Sequence, residues 1–460
     1  MHFKGDDMRI LTKIKGNEAD FLQNAGQWLI SPFSIVLGRT YCIKDNISKD
    51  NSTICKVITV FVAFIFLPLT LLFGTIGAIM VTCSSSHKNA FKQIQERADL
   101  IKTNIKNQGN NTGDNTVKRV VIVANKSVFT EHITGNGHPE SPERVEAIEQ
   151  TLKKNQLMNE ENTLKPRQAT QEEIALCHDL SYQEELQKQI SGLRDRDYSH
   201  FNKQQWNVDH VSGDFIISPK TYNTSLYAAG APLTAIDHIL DEKNNTSKAF
   251  CIVRPPGHHA HQHTGSGFCV FNNVAIAAKY LTTHYNFKRV LIVDWDAHHG
   301  DGTQKLIEND EKIFYFSTHR STNDGFYPGP HWGTEKDNCS HILNCPIYPD
   351  PTSSEKPREQ ILKAFKDKLV PAMDQYKPDF VLISCGFDAH EKDSLVGLGL
   401  KTEDYAELTR ICMGIADKYA KGRIVSVLEG GYHLQAISDA AKIHVETLKK
   451  NTTLNALEEI

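Results

Sequence analysis

Short apolar runs alternate with helical patterns through most of this 460-residue chain. From Lys118 onward the runs are rich in Val, Ile and Phe, and they are Val120–Val123, Phe250–Val253, Val290–Val293, Ile313–Phe316, Phe380–Ile383 and Ile424–Leu428. Helical patterns stand between or after them, at Val274–Tyr285, Arg358–Gln375, Thr402–Tyr419 and Ala436–Lys449. Apolar strands that alternate with helices predict an α/β domain with a largely parallel central sheet.

A second kind of segment precedes this domain. The run Val57–Val81 contains no charged residue, and it exceeds the ~20 apolar residues that cross a bilayer. It is too long, and lies too far from the N-terminus, to be a cleaved signal peptide. We therefore predict an N-terminal region over 1–56, a transmembrane or membrane-embedded segment over 57–83, a linker over 84–117 and the α/β domain over 118–460. A buried core helix is the alternative for the apolar run, and Pro68 leaves a kinked or re-entrant hairpin open.

Charge and cysteine content narrow the class of protein. The net charge of -4 does not suggest a polyanion binder, so we expect no direct nucleic-acid binding. The chain has 10 cysteines and no CxxC pair, and several of them sit inside apolar stretches. This usage favours a reduced compartment. Together with the apolar run, it predicts a membrane-associated protein whose catalytic domain faces the cytosol.

Metal-ligand residue types follow two of the predicted strands. Ligands gather at the carboxyl ends of strands in open parallel sheets. Asp296 and His298 follow one strand and stand two residues apart, so an extended chain points both the same way. Asp388 follows another strand and can complete the set. Carboxylate and imidazole donors suit zinc, and three protein ligands leave a position open for water and substrate, as in catalytic sites.

Two adjacent histidines follow the strand Phe250–Val253. His258 and His259 are candidates for a general base and a general acid. Each needs a carboxylate behind it to set its tautomer and pKa, and Asp294 and Asp301 are available in the neighbouring loop.

A tyrosine follows the last strand, in the sequence Glu-Gly-Gly-Tyr. The glycines permit a sharp turn, so that Tyr432 can present its hydroxyl to a developing oxyanion. His261 and His263, close to the tandem pair, are interpreted as ordinary loop histidines.

At this point the sequence resembles the histone deacetylase superfamily, in particular its class II and bacterial branch, which includes acetylpolyamine amidohydrolases. Six motifs support the resemblance in the family's order: GHPESPERVEAI (137–148), RPPGHHA (254–260), GFCVFNN (267–273), VDWDAHHGDGTQ (293–304), SCGFDAHEKDSLVGL (384–398) and LEGGY (428–432). They spread over about residues 119–449, and residues 1–117 have no counterpart.

The resemblance implies an arginase/deacetylase-like three-layer fold with a central parallel sheet and one catalytic zinc ion. It also implies a role for each matching residue. The zinc ligands are Asp296, His298 and Asp388. The general base is His259, paired with Asp301, while His258, paired with Asp294, acts mainly through its charge.

Further residues match the family's substrate tunnel. Tyr432 matches the tyrosine that holds the substrate carbonyl, and Gly267 the glycine whose carbonyl receives the substrate amide N–H. Phe268 and Tyr327 match two aromatic tunnel walls, and Arg144 matches an arginine at the inner end of the pocket. The family also has a structural potassium site, which Asp294, Ser317 and the backbone near Asp296 and His298 resemble.

One departure bears on the substrate. Leu395 stands where the polyamine-selective branch has a glutamate, which favours acetyl-lysine in a protein or peptide over an acetylpolyamine. The alternatives are an acetylpolyamine or small-amide hydrolase, an arginase-like enzyme with two metals, and a catalytically silent acetyl-lysine binder at a membrane. The single-metal ligand set argues against the arginase-like enzyme, and the complete set of expected catalytic residues argues against the silent binder.

Overall fold

The computed structural model describes residues 41–44, 55–58, 119–194, 197–200, 215–350 and 352–450. The chain divides into two compact units, Met1–Asn115 and Thr116–Ile460. In the first unit, strands β1 (Tyr41–Lys44) and β2 (Cys55–Ile58) pair antiparallel. Residues 59–83 of the predicted membrane segment and the whole of the predicted linker up to residue 117 lie outside the described residues. Among the residues that are described, no helix is both long enough and apolar enough to span a membrane.

The described part of the second unit contains ten strands. In chain order they are β3 (Arg119–Ala124), β4 (Thr163–Leu164), β5 (Ser199–His200), β6 (Ile216–Ile217), β7 (Thr246–Ile252), β8 (Val290–Asp294), β9 (Ile313–Arg320), β10 (Ile342–Ile347), β11 (Phe380–Cys385) and β12 (Ile424–Leu428). Strands β5 and β6 form a separate antiparallel pair. The other eight form one sheet in the order β10–β9–β8–β11–β12–β7–β3–β4, and every neighbouring pair in it is parallel.

Helices cover both faces of this sheet. They are α1 (Lys126–Phe129), α2 (Glu143–Lys154), α3 (Gln171–Ile174), α4 (Leu180–Ser191), α5 (Thr221–Leu240), α6 (Asn273–Thr283), α7 (Asp301–Ile307), α8 (Pro357–Lys363), α9 (Val370–Tyr376), α10 (Thr402–Tyr419) and α11 (Leu434–Leu448), with a π-helical turn at Ala364–Leu369. Helices α5 and α6 pack together, as do α2, α10 and α11. Every residue of β8 and β11 is buried. Because successive strand residues point to opposite faces, both faces must be covered, which explains the unbroken apolar runs in the sequence.

The strand order places a switch point next to β8. After β8 the chain continues to β9 and β10 on one side of it, and then returns to form β11 on the other side. Ligands bind in the crevice outside the strand carboxyl ends at such a point. Asp294, the last residue of β8, pairs with Ser317 of β9 and with Ser384 of β11. The loops that leave β8 and β11 therefore meet at this crevice.

The predicted α/β class with a central parallel sheet is confirmed, and all six predicted strands are present. The structure adds β4 and β10 to the sheet and α2, α4 and α5 to the helices. The single helix predicted over Arg358–Gln375 is a succession of α8, the π-helical turn and α9.

Candidate active site

Three potential metal ligands converge just beyond β8 and β11. One donor atom from each of Asp296, His298 and Asp388 lies within 4.8 Å of the other two. The Nδ1 atom of His298 is 3.1 Å from Asp296 Oδ1 and 2.9 Å from Asp388 Oδ2. Both carboxylates are fully buried. The structure thus brings together the three residues that the sequence singled out, although their strands are about 90 residues apart in the chain.

Backbone amides orient the two carboxylates. Gly430 N–H donates to Asp296 Oδ2 at 2.8 Å, and Ala297 N–H donates to Asp388 Oδ1 at 2.7 Å. Each carboxylate is therefore held by one oxygen while its other oxygen faces the His298 imidazole. Such outer contacts orient metal ligands. A Cβ atom on Gly430 would lie 2.6 Å from Asp296 Oδ2 and 2.7 Å from Asp388 Oδ2, so only glycine allows the chain this close.

The charges of the cluster suit a cation. Burial, together with the neighbouring Asp296 carboxylate, raises the pKa of Asp388 above its ordinary value. Two carboxylates buried side by side disfavour each other's ionised form, and a divalent cation relieves this repulsion. One imidazole nitrogen and two carboxylate oxygens are the donor types that zinc accepts. The residues present therefore fit a single zinc ion.

The tandem histidines lie beside this cluster, and each is backed by a different aspartate. His258 Nδ1 is 3.1 Å from Asp294 Oδ2, and His259 Nδ1 is 2.6 Å from Asp301 Oδ1. The predicted pairing is therefore present in the structure. The ring centroids of His259 and His298 are 5.7 Å apart, which places His259 next to the three potential metal ligands.

The two imidazoles have opposite electrostatic environments. Burial opposes the charged form of His258, but the Asp296 and Asp294 carboxylates raise its pKa well above the ordinary value. Burial and the adjacent charge of His258 lower the pKa of His259 to about 3, although the hydrogen bond to Asp301 acts in the opposite direction. Because Asp301 accepts from Nδ1–H, the neutral His259 ring keeps its lone pair on Nε2.

A buried glutamate holds the backbone of the histidine pair. Glu429 Oε2 accepts hydrogen bonds from Gly257 N–H at 2.6 Å and from His258 N–H at 3.1 Å. Its Oε1 accepts from the Ser384 hydroxyl at 3.2 Å. Glu429 thus ties the carboxyl ends of β7, β11 and β12 together at the site.

Tyr432 is half-buried in the loop between β12 and α11. Burial and the Asp388 and Asp296 carboxylates raise its pKa well above the ordinary value, so its hydroxyl is a proton-bearing donor. Arg144 lies over its ring, with Cζ 5.1 Å from the ring centroid. Arg144 also donates to the carbonyls of Gly431, at 2.7 Å, and Glu429, so it fixes the backbone on which Tyr432 stands.

Three of the predicted tunnel residues lie beside His259 or Tyr432. The ring of Tyr327 lies 4.7 Å, centroid to centroid, from that of His259, and the ring of Phe268 lies 5.9 Å from that of Tyr432. Gly267 has a φ of +49°, and a Cβ atom there would lie 2.5 Å from His259 Cδ2. Leu395 is 46% exposed. Gly267, Phe268 and Tyr327 thus lie next to His259 and Tyr432, while Leu395 lies at the surface.

The residues of the suggested potassium site are close neighbours, but their contacts do not indicate an ion. Asp294 and Ser317 are register partners on adjacent strands. The Ser317 hydroxyl lies 2.8 Å from His319 Nδ1, and Asp294 Oδ1 accepts from Asp296 N–H at 3.2 Å. The potassium site stays a prediction from resemblance.

Two residues of the site were not identified from the sequence. His261 is not an ordinary loop histidine, because it is buried and its Nε2 lies 2.8 Å from Asp301 Oδ2. Asp393 accepts a hydrogen bond from Tyr432 N–H at 2.8 Å. No spacing rule predicts either contact. The proximity of His261 to the tandem pair and the position of Asp393 within a recognised motif were the available signals.

Comparison with known proteins identifies the family of this chain. The histone deacetylase domain model matches residues 138–448. An uncharacterized protein of Synechocystis sp. is 35% identical over 72% of this chain and 99% of its own length. A probable deacetylase of Archaeoglobus fulgidus is 30% identical over 72% of this chain and 86% of its own length. The crystal structure of the HDA15 HD domain superposes with a TM-score of 0.61 at 28% identity, covering 73% of this chain and 89% of that one.

Larger relatives match over part of their length. Polyamine deacetylase HDAC10 of Danio rerio is 33% identical over 68% of this chain, and the match spans 45% of that protein. Histone deacetylase 6 of Caenorhabditis elegans is 35% identical, and the match spans 33% of it. The fold and the histidine–carboxylate site define a hydrolase that acts on acetylated amides. This chain belongs to the histone deacetylase family.

Proposed function

We propose that this chain is a zinc-dependent amidohydrolase that removes acetyl groups from lysine side chains of proteins or peptides and releases acetate. The convergence of Asp296, His298 and Asp388 beside the neutral His259 imidazole is the observation that supports this most directly. A zinc ion held by these three residues would polarise the substrate carbonyl and lower the pKa of a bound water. The family is known for deacetylation, and the donor set fits zinc.

The histidine pair would accept and donate the protons that move during the reaction. His259 donates its Nδ1–H to Asp301, so its unprotonated Nε2 is oriented to accept a proton from the attacking water. Attack forms the bond from water oxygen to the acetyl carbon. When the carbon–nitrogen bond breaks, the leaving amine takes a proton from a histidine of the pair, which yields acetate and a free lysine amine. Asp301 keeps the neutral His259 ring in the required tautomer, and Asp294 stabilises the protonated His258 ring.

Tyr432 would stabilise the charge that develops on the carbonyl oxygen. Its hydroxyl remains protonated and can donate a hydrogen bond to that oxygen. Arg144 holds the carbonyls of Glu429 and Gly431 just before it, and Asp393 accepts from its own backbone amide, so the donor is in place before the reaction starts. Gly267, Phe268 and Tyr327 would bind the acyl-lysine stem, with the Gly267 carbonyl accepting the amide N–H.

An acetylpolyamine is the second candidate substrate, because the relatives include a protein named polyamine deacetylase. Leu395 argues against it: an exposed leucine at the rim attracts no polycation, whereas a glutamate there would. The test compares kcat/KM for an acetyl-lysine peptide and for acetylspermidine in the wild type and in Leu395→Glu. We expect the wild type to prefer the peptide and the variant to shift toward acetylspermidine. Preference of the wild type for acetylspermidine would contradict the proposal, and turnover of neither substrate by zinc-loaded protein would favour a silent binder.

We further propose that the apolar run Val57–Val81 attaches the enzyme to a membrane with its catalytic domain on the cytosolic side. The proposal rests on the length and the lack of charge of the run. Protease treatment of sealed vesicles that contain the full chain tests it. Digestion of the catalytic domain without detergent supports a cytosolic domain, while protection, or recovery of the chain in the soluble fraction, contradicts it.

A further inference from the structure

The carboxylate of Asp301 is shared between two histidines. Its Oδ1 lies 2.6 Å from His259 Nδ1, and its Oδ2 lies 2.8 Å from His261 Nε2. All three side chains are buried. Burial opposes the ionised form of Asp301, but the two histidine hydrogen bonds hold the pKa of this carboxyl below its usual range. Asp301 is therefore a carboxylate with a donor on each oxygen.

The backbone of His261 is itself fixed. Its N–H donates to the Thr264 carbonyl at 2.9 Å, and Thr264 N–H returns a longer bond to the His261 carbonyl. His178 Nε2 accepts from Asn272 N–H at 2.8 Å, so His178 bears its proton on Nδ1 and donates it to the His261 carbonyl at 2.8 Å. Burial lowers the pKa of His178 to about 3, which keeps this ring neutral and this tautomer in place. His261 is thus held before any substrate binds.

A second donor changes what Asp301 can do for His259. A carboxylate held through one oxygen can rotate about its terminal bond, and the imidazole that it orients then rotates with it. A donor on the other oxygen fixes the carboxylate plane, as outer contacts do for metal ligands and catalytic imidazoles. The side chain that supplies this donor lies against Asp301 and, at 5.5 Å between ring centroids, against Trp332.

We propose that His261 is a positioning residue, which donates its Nε2–H to Asp301 and thereby fixes the orientation of the His259 imidazole. This inference rests on the proposed role of His259 as the general base. It assigns a function in the reaction to a histidine that the sequence alone does not distinguish from its neighbour His263.

Two amide substitutions separate positioning from mere support of the fold. In His261→Gln, the amide N–H reaches about as far as Nε2 does and can still donate to Asp301. In His261→Asn, the same amide is one methylene shorter and falls short of it. We expect the Asn variant to lose ~10–100-fold in kcat, the usual effect of removing an outer contact, with KM within about twofold, and the Gln variant to retain most of the activity. His263→Gln is the matched control from the same loop, because His263 is 46% exposed and pairs with Asp179, and it should behave as wild type.

A second readout does not depend on turnover. In protein with ¹⁵N-labelled imidazoles, the His259 Nδ1 proton bound to Asp301 should give a downfield resonance, assigned by its loss in His259→Gln. We expect this resonance to persist in His261→Gln and to move upfield or broaden in His261→Asn. Equal kcat in the Asn and Gln variants, or an unchanged resonance in the Asn variant, would overturn the inference. If the wild type has no deacetylase activity, the proposed function fails, while the resonance still tests the contact.

Discussion

The backbone amide of Tyr432 donates to Asp393 Oδ2 at 2.8 Å, while Asp393 Oδ1 accepts from the amides of Leu395 and Val396 at 2.9 and 3.2 Å. One carboxylate therefore joins the backbone of the proposed oxyanion donor to the loop at the rim of the substrate site. An asparagine in its place has one acceptor oxygen only. If that oxygen stays with the rim loop, the amide NH₂ faces the Tyr432 N–H, and two donors oppose each other.

We expect Asp393→Asn to lower kcat by about tenfold with a smaller change in KM, because a displaced donor acts mainly in the transition state. Steady-state kinetics measure this, with Asp439→Asn on the outer side of α11 as the control. In a Tyr432→Phe background, Asp393→Asn should cost little more, since coupled residues are not additive. Full additivity of the two substitutions would show that Asp393 does not act through Tyr432.

Tyr432→Phe removes the proposed oxyanion donor and leaves the ring. Loss of one such donor costs ~10²–10³ in kcat, and we expect a loss of this size with normal zinc content. Tyr285→Phe is the control, because the Tyr285 hydroxyl donates to Asp237 at 2.9 Å, outside the site. Near-normal turnover by Tyr432→Phe would remove this residue from the mechanism.

Gly267→Ala tests the close approach of the Gly267 backbone to the side chains of His259 and Tyr327. The new Cβ atom would meet the His259 ring at 2.5 Å and the Tyr327 hydroxyl oxygen at 2.7 Å. A shift of the catalytic imidazole by about 1 Å costs ~10²-fold, so we expect kcat to fall by about that factor. Gly325→Ala is the matched control: Gly325 also has a positive φ, +83°, but a Cβ atom there meets nothing within 4 Å. Similar kcat values in the two variants would mean that backbone strain, not contact with His259, is responsible.

His444 should make the fold sensitive to acid. Its Nδ1 and Nε2 lie 2.7 Å from the Thr409 hydroxyl and 2.9 Å from the Ser426 hydroxyl, and burial lowers its pKa to about 3. An exposed histidine has a pKa of about 6.5, so below that pH the unfolded chain binds a proton that the folded chain does not. Stability is therefore lost as the pH falls from about 6.5 toward 3.

Denaturant unfolding at pH 7 and pH 5.5 measures this dependence. The free energy of unfolding of the wild type should fall between these pH values by about 1 kcal/mol more than that of His444→Gln, which has no titrating ring. Equal pH dependence of the two proteins would contradict the assignment. The quantity compared is the change in the free energy of unfolding between pH 7 and pH 5.5. A loss of stability in the variant that is the same at both pH values does not affect this change.

The central sheet could be predicted from the sequence because buried parallel strands leave continuous apolar runs. Strand β10 was missed because Asn344 and Pro346 interrupt its apolar run. Such residues are tolerated there because β10 lies at the edge of the sheet and pairs with one strand only. Helix α5 was missed because Gly230 and Pro232 lie inside it, and both residue types usually end helices. Strands and helices could thus be predicted where the residue types favour the element that is buried there. They could not be predicted where packing stabilises a helix or strand that its own residues disfavour.

The site was predictable to the extent that its residues stand directly after strands. Asp296, His298 and Asp388 follow β8 and β11, and the parallel arrangement brings those ends together. The contact between His261 and Asp301 joins a loop residue to the first residue of α7, 40 residues further along the chain. It depends on the side-chain rotamers of both residues, which no spacing in the sequence specifies.

Acetate release from an acetyl-lysine peptide, before chelation, after removal of metal and after addition of one equivalent of zinc, tests the central claim most directly. We predict turnover in the first state, loss of turnover in the second and recovery in the third, with no recovery in Asp388→Ala. Turnover that survives complete removal of metal would contradict the zinc-dependent mechanism. Absence of turnover in folded protein that binds zinc through Asp296, His298 and Asp388 would contradict the assignment as a lysine deacetylase.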